Sequence, residues 1–158
     1  MKRLLFFTLI FLLASALIAC ETKNEETDEI IIGDLVEDGR ESYEGAIMQH
    51  ISNTNTTLTV YMENATEAAW QSGNMRDYHL EVELDGVWYK VEDKNEVPNT
   101  MEAMIFAPGD TVTHTFDFSE RYGTLTAGKY RVVKSWWANA TETSKGGGFY
   151  LTCEFTVD

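Results

Sequence analysis

Between residues 57 and 157 the apolar positions recur at every second residue over several short runs. Leu58, Val60 and Met62 alternate with Thr57, Thr59, Tyr61 and Glu63, and Asn64 ends the run. Tyr78, Leu80, Val82 and Leu84 alternate with His79, Glu81 and Glu83. A period of two sends successive side chains to opposite faces, so each run predicts a strand with one buried and one solvated face. Asp85-Gly86 then leads directly into Val87-Trp88-Tyr89-Lys90-Val91. A type I′ turn needs positive φ at both central positions, which Asp-Gly supplies, so these runs predict a hairpin. Its register sets Leu84 against Val87, Val82 against Tyr89 and Leu80 against Val91. The other face pairs Glu81 with Lys90 and Glu83 with Trp88, and is expected to be wet.

Pro108-Gly109 predicts a further turn, with proline fixing φ at the first central position and glycine free at the second. After it Val112, His114, Phe116 and Phe118 share one side, while Thr111, Thr113, Thr115 and Asp117 take the other. Residues 130–137 read as the next strand and 149–157 as the last. In the last, Phe149, Leu151, Cys153, Phe155 and Val157 alternate with Tyr150, Thr152, Glu154 and Thr156. About seven short strands with turn signals and no helical periodicity predict an all-β fold, a two-sheet antiparallel sandwich. Residues 65–77 fit a loop, a turn of helix or a crossing between sheets. Ile30-Ile31-Ile32 reads as an edge strand or as a segment packed back on the domain.

The first twenty residues change the setting. Lys2 and Arg3 precede a nearly uninterrupted apolar stretch that ends Leu17-Ile18-Ala19-Cys20, the layout of a secretory signal. The Leu-x-Ala-Cys ending resembles the lipobox of bacterial lipoproteins, which implies a diacylglyceryl thioether on Cys20 and cleavage before it. Two acyl chains hold a protein firmly where one holds it only marginally. The expected organisation is a signal peptide at 1–19, a lipidated cysteine and acidic tether at 20–42, and a sandwich at 43–158. The expected location is the extracytoplasmic face of the cell membrane.

Charge narrows the partners. The chain carries 12 basic and 26 acidic side chains, a net −14; loss of Lys2 and Arg3 with the signal leaves 10 against 26, or −16. Such a surface repels phosphate backbones and anionic head groups, so nucleic acid is not an expected partner. With Cys20 lipidated, Cys153 has no partner in the chain and a disulfide framework is excluded.

Leu125-Thr126-Ala127-Gly128-Lys129-Tyr130 resembles the Leu-x-Pro-Gly-x-Tyr tyrosine corner of Greek-key sandwiches, with Ala127 in the proline's place. In that device the Tyr130 hydroxyl would bond back to upstream backbone, with Leu125 and Gly128 shaping the turn. The wider pattern resembles the bacterial immunoglobulin-like domains of small lipoproteins, mainly of Gram-positive bacteria. It rests on residues 58–64, 78–90, 107–110, 122–125, 128–134 and 149–157. The resemblance implies an immunoglobulin-like sandwich outside the cytosol, and it brings no catalytic residues with it.

No reaction can be read from the remaining chemistry. His50, His79 and His114 sit at no metal-ligand spacing, and the acidic clusters at 34–41 and 92–96 follow no EF-hand pattern. No metal or cofactor is expected. Cys153 points inward among Phe and Leu, where a thiol acts as a small hydrophobe. The Asn-x-Thr triplets at Asn55, Asn64 and Asn139 carry no weight in a bacterial lipoprotein. Trp136-Trp137 stand before a loop, 139–148, that ends in three glycines, with Phe149-Tyr150 beyond it. Adjacent residues face opposite ways, so only one tryptophan can enter the core. Trp136, Trp137 and Tyr150 are the candidate ligand contacts. The expected role is a non-enzymatic binding module for a cell-envelope or protein partner. A protease-inhibitor-like sandwich acting through the loop is the first alternative, and an enzyme with an unrecognised site the second.

Overall fold

A computed structural model describes residues 29–37, 39–98, 102–143 and 145–158. Cys20 and the segment before it lie outside the described residues. Ten strands and no helix are found among them: β1 (Ile31–Leu35), β2 (Ala46–Asn53), β3 (Thr57–Asn64), β4 (Trp70–Ser72) and β5 (His79–Leu84), then β6 (Val87–Glu92), β7 (Met104–Phe106), β8 (Thr111–Asp117), β9 (Gly128–Ala138) and β10 (Gly147–Val157). All pairings are antiparallel. The smaller sheet is β2-β3-β8. The larger runs β1-β6-β5-β9, with β10 along the whole length of β9. β5 and then β4 share the opposite edge of β9, and β7 lies outside β4.

The hairpin has its predicted register from Glu81↔Lys90 to Leu84↔Val87. Asp85 at φ 53° and Gly86 at φ 80° supply the two positive values a type I′ turn demands. At the second turn the Asp110 N–H donates to the Ala107 carbonyl at 3.0 Å and Gly109 has φ 84°, a type II turn with proline and glycine in their preferred places.

Inward positions of both sheets build one core. Leu58, Val60 and Met62 of β3 face Leu80 and Val82 of β5, Val132 of β9 and Leu151 to Val157 of β10. Toward one end, Trp70 packs on Trp136, Phe106 and Phe149 at ring-centroid distances of 5.2 to 5.9 Å. At the other end Phe118, Phe155 and Tyr130 stack in series. The Tyr130 hydroxyl donates to the Thr126 carbonyl at 2.9 Å, and a Cβ at Gly128 would stand 3.3 Å from the Tyr130 ring. Leu125 is buried and its N–H donates to the Asn55 carbonyl, tying that turn to the β2–β3 connection.

Several expectations need correction. Four strands beyond the clearly periodic ones are present: β1, β2, β4 and β7. Residues 65–77 contain both a crossing from the smaller to the larger sheet and the three-residue β4. Ile31 and Ile32 do form an edge strand, paired with β6. β1 thus joins the larger sheet from upstream of residue 43. Leu84, expected inside, is 41% exposed, and so is its partner Val87 at the hairpin tip, at 40%. Glu81, expected on a wet face, is fully buried.

Candidate functional site

Alternation along β9 decides the fate of its two tryptophans. Trp136 faces inward and is 3% exposed, whereas Trp137 points out and is 55% exposed. Pairing then sets a row across the larger sheet: Ile105 of β7, Gln71 of β4, Trp137 of β9 and Gly148 of β10. Ile105 is 67% exposed. A Cβ on Gly148 would lie 3.7 Å from Trp137 Cε3, so the indole rests against the strand where its neighbour has no side chain. Tyr150, 39% exposed, pairs with Ser135 in the next row of the same face. Of the three residues singled out in the sequence, Trp137 and Tyr150 share an outer face. Trp136 lies behind it in the core, opposite Phe149.

The rest of that face is covered by the chain itself. β1 lies at one edge of the larger sheet and β2 runs beside β10 at the other, where Asn53 Nδ2 donates to the Thr156 carbonyl. Residues 36–42 must cross between them. The Val36 N–H donates to the Trp88 carbonyl, and farther on the Tyr150 N–H donates to the Glu41 carbonyl at 3.0 Å. Between those ties Arg40 reaches down to Glu81. One guanidinium nitrogen donates to Glu81 Oε2 at 3.1 Å and the other forms a closer ion pair with Oε1. Arg131 Nε donates to Oε2 at 2.6 Å, and His79 Nε2 stands 2.8 Å from Oε1. Glu81, Arg131, Trp88 and Val133 are all outward on their strands and all buried.

Burial alone would raise the Glu81 pKa. The hydrogen bonds from His79, Arg40 and Arg131 outweigh it and bring the carboxyl down to about 2. Arg131 also lies over Trp88, its guanidinium carbon 4.1 Å from the ring centroid. Arg40 lies 5.7 Å from the Tyr150 centroid. The strap is thus anchored by one buried carboxylate under its single arginine. Sequence reasoning missed this, although one signal was present: Arg40 is the only Lys or Arg between Lys23 and Arg76.

Where the strap meets β10 a cavity of about 490 Å³ opens, lined by Glu37, Arg40, Glu41, Ser135, Gly148 and Tyr150, among others. That volume lies within the usual range of small-ligand clefts. The loop after β9 is tied back at both Asn139 and Thr143. The Asn139 N–H donates to the Ala69 carbonyl, and Thr143 Oγ1 donates to Glu67 at 3.1 Å.

The other sequence candidates are dispersed. His50 pairs with Asn53 at 2.8 Å on the smaller sheet. His114 rims a separate cavity of about 280 Å³ beside Tyr78 and Phe116, and burial, helped by nearby Lys134, lowers its pKa. Cys153 is buried in the core, and burial with the Glu154 charge raises its pKa to about 11, against any nucleophilic role. Among the described residues no three His, Cys, Asp or Glu side chains come together as a metal site. No helix among them is long and apolar enough to cross a membrane.

The family model for the bacterial Ig-like domain matches residues 47–147. The chain belongs to this family. No curated protein matches it. The matched span of the Ig-like domain contains Gln71, Ile105 and Trp137, while Glu37, Arg40, Glu41, Gly148 and Tyr150 lie outside it. The cavity is therefore built where the Ig-like core meets this chain's own strap and last strand.

Proposed function

We propose that this Ig-like domain is a non-enzymatic binding module, held on the extracytoplasmic face of the membrane by a lipid on Cys20. It meets a cell-envelope or protein partner with the Trp137–Tyr150 end of its larger sheet. The observation that carries this reading is Trp137 itself: a large aromatic ring fixed in an eleven-residue strand, backed by Gly148 and more than half exposed. Its row continues through the polar Gln71 to the exposed Ile105. Rigid, amphipathic aromatic surface lowers the entropic cost of binding and is enriched where proteins meet partners.

The face is favoured over loop 139–146 because that loop is tied back to Ala69 and Glu67. Two measurements test the reading. Cys20→Ser should move the protein from the membrane to the soluble fraction; unchanged membrane retention would remove the lipid anchor from the account. Trp137→Ala and Tyr150→Ala should each reduce retention on purified cell-wall sacculi or on extracted envelope proteins by at least tenfold. If both variants are retained like the parent, the face is not the binding surface.

A further inference from the structure

On the outer face of the larger sheet nearly every acid is answered by a cation of the same chain. Glu81 has Arg40 and Arg131, Glu92 has Lys90, and Glu83 and Glu154 share Lys129. Glu37 and Glu41 are different. Both line the cavity where the strap meets β10, and neither has an ion pair among the described residues. The partly exposed ring of Tyr150 lines the same cavity, and the exposed Trp137 lies one row away on the same face. Unanswered carboxylates next to open π-faces, in a chain of net charge −14, favour a cation there and disfavour an anion. The protein already holds one cation against this wall, the Arg40 guanidinium over the Tyr150 ring.

The backbone adds a direction. Because the Tyr150 N–H donates to Glu41, it points away from β9. Strand alternation then turns the N–H and C=O of Gly148 the same way, toward the cavity that Gly148 lines with no side chain of its own. Main-chain groups at a sheet edge, with side-chain sites beside them, are the means by which a sheet takes up an extended peptide.

We propose that this cavity binds an extended basic peptide segment. The segment's main chain pairs with the Gly148 edge of β10, and one Lys or Arg side chain enters between Glu37, Glu41 and the ring of Tyr150. The proposal rests on the reading of this face as the binding surface and gives that surface a ligand class.

The test uses the full chain in mild detergent and a fluorescent probe, acetyl-Lys-Thr-Lys-Thr-Lys-Thr-amide, followed by anisotropy at physiological salt. Saturable binding is expected, with a loss of at least tenfold in the Glu37→Gln/Glu41→Gln double variant. Glu96→Gln/Glu102→Gln, an equal charge change on residues outside the cavity, should stay within twofold of the parent. N-methylation of alternate amides in the probe should weaken it by a similar tenfold. Absence of saturable binding, or equal loss in the two double variants, overturns the proposal and leaves only diffuse charge attraction. Undiminished binding of the N-methylated probe, with spermidine competing equally well, overturns the peptide and leaves a site for amines. If Trp137→Ala abolishes retention on envelope material while the probe never binds, this inference falls and the reading of the face stands. If Trp137→Ala and Tyr150→Ala leave both retention and probe binding unchanged, both fall.

Discussion

On the smaller sheet, Thr111, Thr113 and Thr115 of β8 stand exposed, with Thr57 and Thr59 of β3 half-buried beside them. On the larger sheet the outward positions Glu81, Trp88, Arg131 and Val133 are as buried as the core. Both sets come from strands with the same alternating pattern, and nothing in the pattern separates them. The difference lies in what passes overhead. Arg40 of the strap from β1 to β2 covers Glu81, while Lys129 and Arg131 lie over Trp88, and a polar residue beneath such cover must find partners within the protein. A polar position on a strand therefore states only that a residue faces away from the core, not that it faces water.

The largest test of that difference removes the anchor. Glu81→Ala takes away the carboxylate shared by Arg40, Arg131 and His79, and breaking a buried pair by removing one partner costs about 3–5 kcal/mol. Urea denaturation should show a loss of that order, with hydrogen exchange at the Tyr150 amide accelerated as the strap loosens. Thr113→Ala on the open face should change stability by no more than about 0.5 kcal/mol. A comparable loss at the two positions would mean that the strap contributes nothing.

Acid offers the same test without mutation. The folded-state pKa of Glu81 is depressed from 4.5 to about 2, so its contribution is fully present above pH 4.5 and is lost as the pH falls toward 2. The size is up to about 3 kcal/mol, at 1.36 kcal/mol for each unit. Asp117, with its pKa also lowered, by hydrogen bonds from Ser119, adds a smaller loss in the same range. Stability measured from pH 5 to pH 2 should fall steeply in the parent and much less in Glu81→Gln. Parallel curves would refute the assignment.

The fold was legible wherever turn chemistry and alternation agreed. Asp85-Gly86 sets the hairpin register through Glu81, and the run from Phe149 to Val157 gives the last strand its faces. β4 and β7, three residues each, are too short to show a period. β1 is half-buried at best and so carries no inward stripe. Of the candidate site, the split between Trp136 and Trp137 follows from strand geometry alone. The strap does not, because Arg40 meets Glu81 only after β1 has joined one edge of the larger sheet and β2 has joined the smaller sheet beside the other edge. The acidity of residues 20–42 suggested a tether, yet Arg40 and Glu41 within that span bond to the larger sheet.

An inward charge extends the contrast between covered and open positions. Lys134 is on the core face of β9, fully buried, and its Nζ donates to the carbonyls of Asn74 and Asp77 at 2.8 and 2.9 Å. Burial lowers its pKa to about 8, with only Asp77 acting against it. Below pH 8 the folded state carries the cost of a desolvated cation. The unfolded chain holds that proton up to about pH 10.5, so stability rises as the pH climbs through this interval. Between pH 8 and 9 the gain is about 1 kcal/mol, partly offset by Cys153, whose raised pKa has the opposite sign. The rise should be absent from Lys134→Met, and a parent that is flat or falling relative to that variant would contradict the assignment.

The finest distinction comes from measuring coupling rather than cost. Thr59 Oγ1 and Thr115 Oγ1 lie 2.9 Å apart across β3 and β8, a hydrogen bond as short as many on the covered face. Water can replace it, since Thr115 is exposed, so its net value is a few tenths of a kcal/mol. Arg40 and Glu81 meet where water has much less access, the carboxylate being fully buried and the arginine side chain 20% exposed. A double-mutant cycle on Thr59→Val and Thr115→Val should give a coupling below about 0.5 kcal/mol, while Arg40→Met with Glu81→Gln gives about 2 kcal/mol or more. Similar distances with unequal couplings would show that cover, not geometry, sets the worth of a polar contact here. Equal couplings would mean that the strap opens often enough for water to reach both faces alike.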